Sequence, residues 1–580
     1  MNFFNLTKIL LNFKSKIYLW LLLPIFAIST FFEILSISLF TIVITAIIDK
    51  DLLINLLIKI DLLSKNNIAI FLNSYSQKEV ILYLSVFLFS VFIIKNIFLL
   101  ILIYFENLIS ALIKKDLTVK LGKIYFYAPY DFFLMEKSSI IIRNLTFETK
   151  VVGEYFKTNI ILTREFMVVF FILFTAIIIY PREIIIMSSF GLITIGSFYL
   201  LSKKYIFKLN NKLFHIRANF INKIQEGFGA IKSVIILQRE KIIYNNISEL
   251  IKKKELLEFK LSFFLKTPRI FSEIIFIIIF SFLFITTAIT DNFKNILPLL
   301  ATMALLASRL IPSFNNISSG LIAIKGQKIS AIYIAKQFIK LSKYKISDVN
   351  EQYTNKKKIY GDIKFKNVSF NYNNSKKFIF KNLNLTIPKN KITIITGDSG
   401  VGKSTLVDLL LGLLKPHSGK IISNFLDVNE NIFSWRKITG YVPQDIFLTN
   451  KSVESNIVLG LTKSNINKIN LNNSIKQARL HDFLNKNNKY KNVGERGVNI
   501  SGGQKQRIGI ARALYTKPDV IVFDESTNSL DKKNENLIIK DIRKISKDKI
   551  IIFITHKIYN YKFGDKVIKI EKNGKILNIR

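Results

Sequence analysis

Apolar residues run almost unbroken through the first part of the chain, near 17–47, 80–110, 158–180, 183–202, 270–290 and 295–325. As a helix, each run is long enough to cross about 30 Å of hydrocarbon, so the pattern predicts six spans. The first run is too long for a signal-peptide core and no small-residue cleavage site follows it. It is therefore expected to stay in the mature protein. The third and fourth runs are separated only by Tyr180-Pro181-Arg182-Glu183, which fits a tight turn at a membrane surface.

The polar stretches between the runs are unequal. Lys and Arg number 8 in 114–157 and 14 in 203–267, against 1 each in 180–184 and 290–295. Basic residues near span ends favour the cytoplasmic side, so the two long stretches and the N-terminus are expected there. Both long stretches keep helical periodicity, as in 206–236 and 242–264, and read as spans extended into the cytosol. Segment 51–73 is near-neutral and amphipathic, with Lys59, Asp61 and Lys65 breaking its Leu/Ile clusters. On the outer side it reads as a helix lying in the interface, or as a plain linker.

Around 341–360 the chain turns rich in Lys, Asn and Ser, which marks a linker. From 363 onward short β-type runs alternate with helices, at 392–396, 520–524 and 550–555. That alternation predicts an α/β domain with a partly parallel sheet. The expected organisation is a membrane domain over 1–330, a linker over 331–362 and an α/β domain over 363–580.

Composition changes this picture little. Half of the 580 residues are hydrophobic and the net charge is +43. The charge invites a nucleic-acid reading, but no aromatic-basic stripe supports one. Abundant Lys, Ile, Asn, Phe and Tyr suit an AT-rich genome, and a basic face also suits anionic lipid headgroups. With 0 Cys, disulfides, thiolate metal sites and a cysteine nucleophile are excluded, and 4 scattered His argue against a catalytic metal centre.

The candidate chemistry lies in the α/β half. Gly397-Asp398-Ser399-Gly400-Val401-Gly402-Lys403-Ser404-Thr405 follows the strand at 392–396 and opens a helix, the context a phosphate-binding loop requires. Its glycines let backbone N–H groups approach phosphate, and the helix N-terminus adds an anion site. Lys403 points a charge at the β/γ-phosphates, and Ser404 offers a hydroxyl to Mg²⁺. Asp524 ends the apolar run 520–523, where its carboxylate would meet the metal. Glu525 follows, placed to polarise a water for attack on the γ-phosphate. Gln444, in Tyr441-Val442-Pro443-Gln444, resembles a glutamine that senses Mg²⁺ and the attacking water, and the placement of His556 after 550–555 makes it a candidate γ-phosphate contact. Tyr372 is a candidate for stacking on adenine or for simple packing.

With Ser501-Gly502-Gly503-Gln504 just upstream of that strand, the chain resembles an ATP-binding cassette exporter. The resemblance implies a type IV exporter fold, six transmembrane helices plus a phosphate-loop ATPase domain, with ATP and Mg²⁺ as cofactors. It also implies that the signature Ser501–Gln504 and Asp531 serve the nucleotide site of a second copy, so the working form is a homodimer. Glu495 matches a loop that meets the membrane domain. Ile500 replaces the usual leucine and Lys557 the usual arginine after His556. A soluble cassette ATPase acting on DNA would carry coiled-coil or zinc inserts in place of six apolar runs.

Charges at membrane depth are costly and usually tied to a pathway. Lys95, Arg269 and Arg309, with Glu33 and Glu273, are the candidates, and the basic trio would form an anion-attracting route. Alternatively, Arg269 and Glu273 pair at i,i+4 without touching cargo. The stretches Phe32–Ser38, Pro268–Glu273 and Ser308–Ser313 are similar to PglK-type flippases of lipid-linked oligosaccharides. That resemblance implies a bacterial inner-membrane flippase with a polyprenyl-pyrophosphate glycan as substrate and no nucleic-acid partner. Lys95 stands where those flippases tend to carry arginine. Export of a peptide, toxin, drug or other lipid is the alternative.

Overall fold

The computed structural model describes residues 1–48, 53–54, 74–179, 181–289, 293–342, 361–372, 375, 377–423, 426–486, 492–526, 532–556, 562–571 and 574–579. Its contacts divide it into two units: Met1–Ala128 with Phe133–Lys345, and Pro129–Phe132 with Ile346–Arg580.

The first unit is helical. Its elements are α1 (Phe3–Leu10), α2 (Phe13–Ile48), α3 (Gln77–Phe126), the second half of α4 (Tyr130–Met135, whose Tyr130–Phe132 count with the second unit), α5 (Ser138–Arg143), a π-helical turn (Asn144–Glu148), α6 (Thr149–Ile179), α7 (Pro181–Gly229), α8 (Ile231–Ile236), α9 (Glu240–Ile289) and α10 (Phe293–Ser342). Long helices are what apolar runs must form where no water can bond the backbone. Among the described residues, Phe13–Ile48, Gln77–Phe126 and Ser138–Ile178 are long and apolar enough to cross a membrane. Leu82, Phe87, Phe89, Leu100 and Tyr104 of α3 stand exposed, a face suited to lipid. Helices α3, α9 and α10 each have 50 residues, about 75 Å at the helical rise. That is more than twice the hydrocarbon thickness, so the extensions predicted from the basic stretches are real helix.

One boundary and one turn differ from expectation. Helix α10 runs on to Ser342, so 331–342 is helix rather than linker. Its buried Ala331, Ile334, Ala335, Phe338 and Leu341 form an amphipathic stripe that the surrounding lysines disguise. The π-turn at Asn144–Glu148 was not expected. Segment 51–73 lies outside the described residues apart from Leu53 and Ile54, as does 343–360 of the linker.

The second unit is α/β. A six-stranded sheet has the order β10-β9-β3-β8-β7-β6, with β1 (Ile363–Phe370), β2 (Phe380–Ile387), β4 (Ser418–Ser423) and β5 (Leu426–Asp427) in a four-stranded antiparallel sheet ordered β2-β1-β4-β5. Strands β3 (Ile392–Gly397), β6 (Thr439–Val442), β7 (Val520–Asp524), β8 (Ile550–Ile554) and β9 (Lys566–Ile570) pair in parallel; β10 (Ile576–Asn578) joins antiparallel. Alternate residues of β7 serve two cores: Val520 and Val522 face one, Ile521 and Phe523 the other. A strand buried on both faces must be continuously apolar, which is why β3, β7 and β8 stood out in the sequence. Helices α11 (Lys403–Leu410), α12 (Ile432–Lys437), α13 (Val453–Ile457), α14 (Lys468–Gln477), α15 (His481–Lys486), α16 (Gly502–Tyr515) and α17 (Lys532–Ile545) complete the unit.

Candidate functional site

Strand β3 ends in Gly397, and the chain turns through Gly400 and Gly402 before α11 begins. All three glycines have positive φ, 151°, 81° and 106°. A Cβ at Gly397 would lie 2.4 Å from the Ile570 carbonyl oxygen, so no side chain fits there. Asp398, Ser399, Gly400 and Ser404 are exposed, and Thr405 is buried. Lys403 is buried and folds back over the loop, donating to the carbonyls of Gly397 at 2.9 Å and Asp398 at 2.8 Å. Burial lowers its ammonium pKa against the opposing pull of Glu525, Asp398 and Asp524.

Parallel pairing brings the other groups to the same edge. β7 lies between β6 and β8, so Asp524 and Glu525 at its tip sit beside the segments that follow both neighbours. Gln444 Nε2, after β6, donates to Glu525 Oε2 at 3.0 Å. His556 Nε2, after β8, lies 2.8 Å from Glu525 Oε1. Glu525 itself has φ 46°, an uncommon backbone state that belongs more often to functional positions. Burial pushes the Asp524 carboxyl above its ordinary value, while a hydrogen bond from Tyr441 pulls it down. Tyr441 Oη reaches Asp524 Oδ2 at 3.2 Å. Asp408 of α11, half-buried near Asp524, is pushed up to about 6, first by that burial and then by the Asp524 charge.

Other candidates fall differently. Tyr372 bonds Thr405 through its hydroxyl at 3.1 Å and meets Phe370 edge-on at 5.2 Å, contacts that fix its ring beside the start of α11. Ser501 caps α16, accepting from Gln504 N–H at 3.3 Å, while Gln504 Oε1 accepts from Ser501 N–H at 2.9 Å. Ser501 and Gly502 are exposed, and the run's bonds stay within its own cap rather than reaching the phosphate loop. Glu495 opens a short 3₁₀ turn, Glu495–Gly497. Asp531 and Lys557 lie outside the described residues. Among the described residues no cluster of three His, Cys, Asp or Glu could hold a metal. Mg²⁺ nevertheless suits the place, since it prefers one or two protein oxygens plus phosphates to a protein cage. Ser404 and Asp524 offer that donor set.

In the helical unit the membrane-depth charges are largely spent on one another. Glu33 of α2 and Arg309 of α10 form an ion pair, with Arg309 Nη2 at 3.0 Å from Glu33 Oε2. Arg269 and Glu273 pair at i,i+4 across 2.7 Å. Lys95 sits over the Phe92 ring at 4.7 Å. Of the three cations expected along a route, Arg269 and Arg309 are matched by carboxylates, which leaves one net positive charge. A second buried cluster went unread in the sequence. Arg164 joins Glu106 at 3.0 Å and Glu165 at 2.8 Å, and Glu165 accepts from Ser313 at 2.7 Å and Asn316 at 3.1 Å. The adjacent charges Arg164-Glu165 inside an apolar run were its signal.

Comparison with known proteins agrees with this geometry. Residues 380–528 match the ABC transporter family model. That stretch holds the phosphate loop, Gln444, the Ser501–Gln504 run and Asp524-Glu525. Over 96% of this chain, the fold superposes on 93% of a bacterial Atm1-family ABC exporter with ATP bound, with TM-score 0.75 and 17% identity. The fold is that of an ABC exporter. An RsgA GTPase model also matches 304–425, a range that includes the phosphate loop but stops before Gln444, the signature and Asp524. A putative export ATP-binding/permease protein of Rickettsia felis is 41% identical over 37% of this chain and 37% of its own length. An alpha-hemolysin translocation ATP-binding protein of Escherichia coli O157:H7 is 40% identical over 37% of this chain and 31% of its own. A leukotoxin translocation ATP-binding protein of Mannheimia glucosida is 35% identical over 44% of this chain and 37% of its own. The matches thus span about a third of the length of these curated relatives.

Proposed function

We propose that two copies of this chain hydrolyse ATP to drive export across a bacterial inner membrane. The observation that carries this reading is Glu525, held between Gln444 and His556 beside the phosphate loop. In this reading the Gly397–Thr405 loop and Lys403 grip the triphosphate, and Tyr372 flanks the adenine. Ser404, Gln444 and Asp524 would hold Mg²⁺, which neutralises phosphate charge when bound. Glu525 accepts the proton of the attacking water, Gln444 orients that water, and His556 steadies the γ-phosphate. Ser501–Gln504 and Asp531 complete the site of the other copy, and the exposure of Ser501 and Gly502 suits that role. A pair of sites needs both chains, most simply through a two-fold axis.

For cargo, the reading we favour is a polyprenyl-pyrophosphate glycan, flipped past Lys95 and Arg309. It rests on the similarity of the membrane stretches and on cationic groups retained within apolar helices despite their cost. Protein or toxin export is the second reading, supported by the hemolysin and leukotoxin translocators. Those similarities lie mainly in the ATPase part and weigh lightly on cargo.

The test is reconstitution of the full chain in liposomes with lipid-linked oligosaccharide on one leaflet. ATP hydrolysis and glycolipid translocation should both fall about 100-fold or more in Glu525→Gln. Hydrolysis that persists in the variant removes the ATPase assignment. Hydrolysis without glycolipid movement in the wild type removes the cargo assignment alone.

A further inference from the structure

The helical unit contains a cavity of about 620 Å³ among α6, α7, α9 and α10. Its volume falls in the range of small-ligand sites. Four cations line it, Lys150, Arg217, Lys254 and Lys266, against Glu154 and Glu258, leaving two net positive charges. Glu258 is shared, 3.5 Å from Lys254 Nζ and 4.0 Å from Arg217 Nη2, while Lys254 also pairs with the exposed Glu255, just outside the lining, at 2.7 Å. Among the described residues Lys150 and Lys266 form no ion pair. Val151, Leu213, Leu261, Leu265 and Ile329, contributed by all four helices, give the wall an apolar part beside the polar Asn210, Ser262, Gln327 and Ser330.

Two lining atoms lack partners. Arg217 Nε and Gln327 Oε1 are buried without a hydrogen bond, a state that costs free energy unless something fills it. Ser330 is already committed to Glu148 at 2.5 Å, so Arg217 Nε is the donor left open to an anion, and the Gln327 amide would meet one through its Nε2 after turning over. The wall between them depends on a glycine: a Cβ at Gly326 would lie 2.2 Å from the Asn210 amide nitrogen. A larger residue there must push into the cavity or displace Asn210.

We propose that this cavity binds a phosphoryl group carried on an apolar body. A single carboxylate would balance one of the two net charges, whereas a phosphate dianion balances both and offers three acceptors. Arg217 suits its oxygens through a planar fork of donors, and the apolar wall accepts the rest. The site is separate from Glu33, Lys95 and Arg309 and does not depend on the cargo assigned above.

The experiment is equilibrium binding of farnesyl phosphate to the full chain in nanodiscs, with a non-hydrolysable ATP analogue saturating the phosphate loop. Farnesol and inorganic phosphate are the comparison probes. Farnesyl phosphate should bind the wild type, and Arg217→Ala should weaken it about tenfold or more. Glu258→Gln should tighten it, because the competing carboxylate is gone; a merely structural role for these residues would not raise affinity. Gly326→Leu should abolish it, with size-exclusion profiles checking that each variant is folded. Displacement by inorganic phosphate identifies a free anion as sufficient, and failure to displace identifies a lipid-borne headgroup. Absent binding to the wild type overturns the proposal, as does farnesol binding as tightly as farnesyl phosphate. Indifference to both Arg217→Ala and Glu258→Gln also overturns it. No turnover is involved, so either result leaves the ATP-driven export reading to its own test.

Discussion

Tyr441 donates its phenolic proton to Asp524 Oδ2 across 3.2 Å, from strand β6 to the tip of its parallel neighbour β7. The bond fixes one oxygen of the carboxylate that we assign to Mg²⁺ and favours its ionised form. Burial works against it, holding the Asp524 pKa above the ordinary value. In Tyr441→Phe the carboxyl rises further, and a protonated Asp524 cannot hold a cation. Since its folded pKa is raised, the protonated fraction grows as pH falls. We expect hydrolysis to drop about tenfold, more at pH 6 than at pH 8, with more Mg²⁺ needed for half-maximal rate. An equal loss at both pH values would mean that the hydroxyl only packs.

How much of this was readable beforehand follows from where each partner lies. The phosphate loop, the Ser501–Gln504 run and Asp524-Glu525 are legible because phosphate chemistry demands particular residues at fixed local spacing. The strands were legible because β3, β7 and β8 are buried on both faces. Tyr441 was not, since a tyrosine three residues before Gln444 reads as packing until strand order sets it beside Asp524. Arg309 stood out as a charge at membrane depth, yet its partner Glu33 is 276 residues away, and no periodicity reports that. The same limit hid Glu106 and Ser313 around Arg164. The end of α10 was misread because Lys336 and Lys340, and the Lys/Asn/Ser-rich stretch that follows, mask the stripe of buried positions that keeps it helical.

Asp408 gives a stability prediction with a definite sign. Burial first, and the Asp524 charge second, raise its pKa from 3.8 to about 6. A raised carboxylate binds its proton more tightly when folded, so its unfavourable contribution grows as pH climbs from about 4 to 6 and stays above that. Asp408→Asn should therefore stabilise the nucleotide-binding unit at pH 8 by about 1–2 kcal/mol and by less at pH 5. Thermal unfolding of wild type and variant at the two pH values measures this. A larger gain at pH 5 would reverse the assignment.

The Arg164 cluster predicts an asymmetry. One guanidinium faces two carboxylates, Glu106 and Glu165, all with side chains 11% exposed or less. Arg164→Met leaves two buried negative charges uncompensated and should cost about 3–5 kcal/mol. Glu106→Gln removes the surplus charge while keeping the Arg164–Glu165 pair, and should be far milder or neutral. Melting temperatures of the full chain in detergent or nanodiscs separate the two. Equal destabilisation would show that packing, not charge balance, governs the cluster.

The Glu33–Arg309 pair decides whether Arg309 serves cargo or only joins α2 to α10. Glu33 is 7% exposed and Arg309 23%, so the pair is shielded enough to couple by about 1–3 kcal/mol in a double-mutant cycle. Arg309→Lys keeps the charge, and hence most of that coupling, but loses the bidentate fork that suits pyrophosphate. If cargo uses Arg309, this variant should translocate glycolipid about tenfold more slowly while its melting temperature stays near wild type. Glu33→Gln should do the opposite, lowering thermal stability while freeing Arg309 for an anion. Should Arg309→Lys flip glycolipid at the wild-type rate, the guanidinium is a tie between helices, and Lys95 alone remains as the candidate cation at that depth.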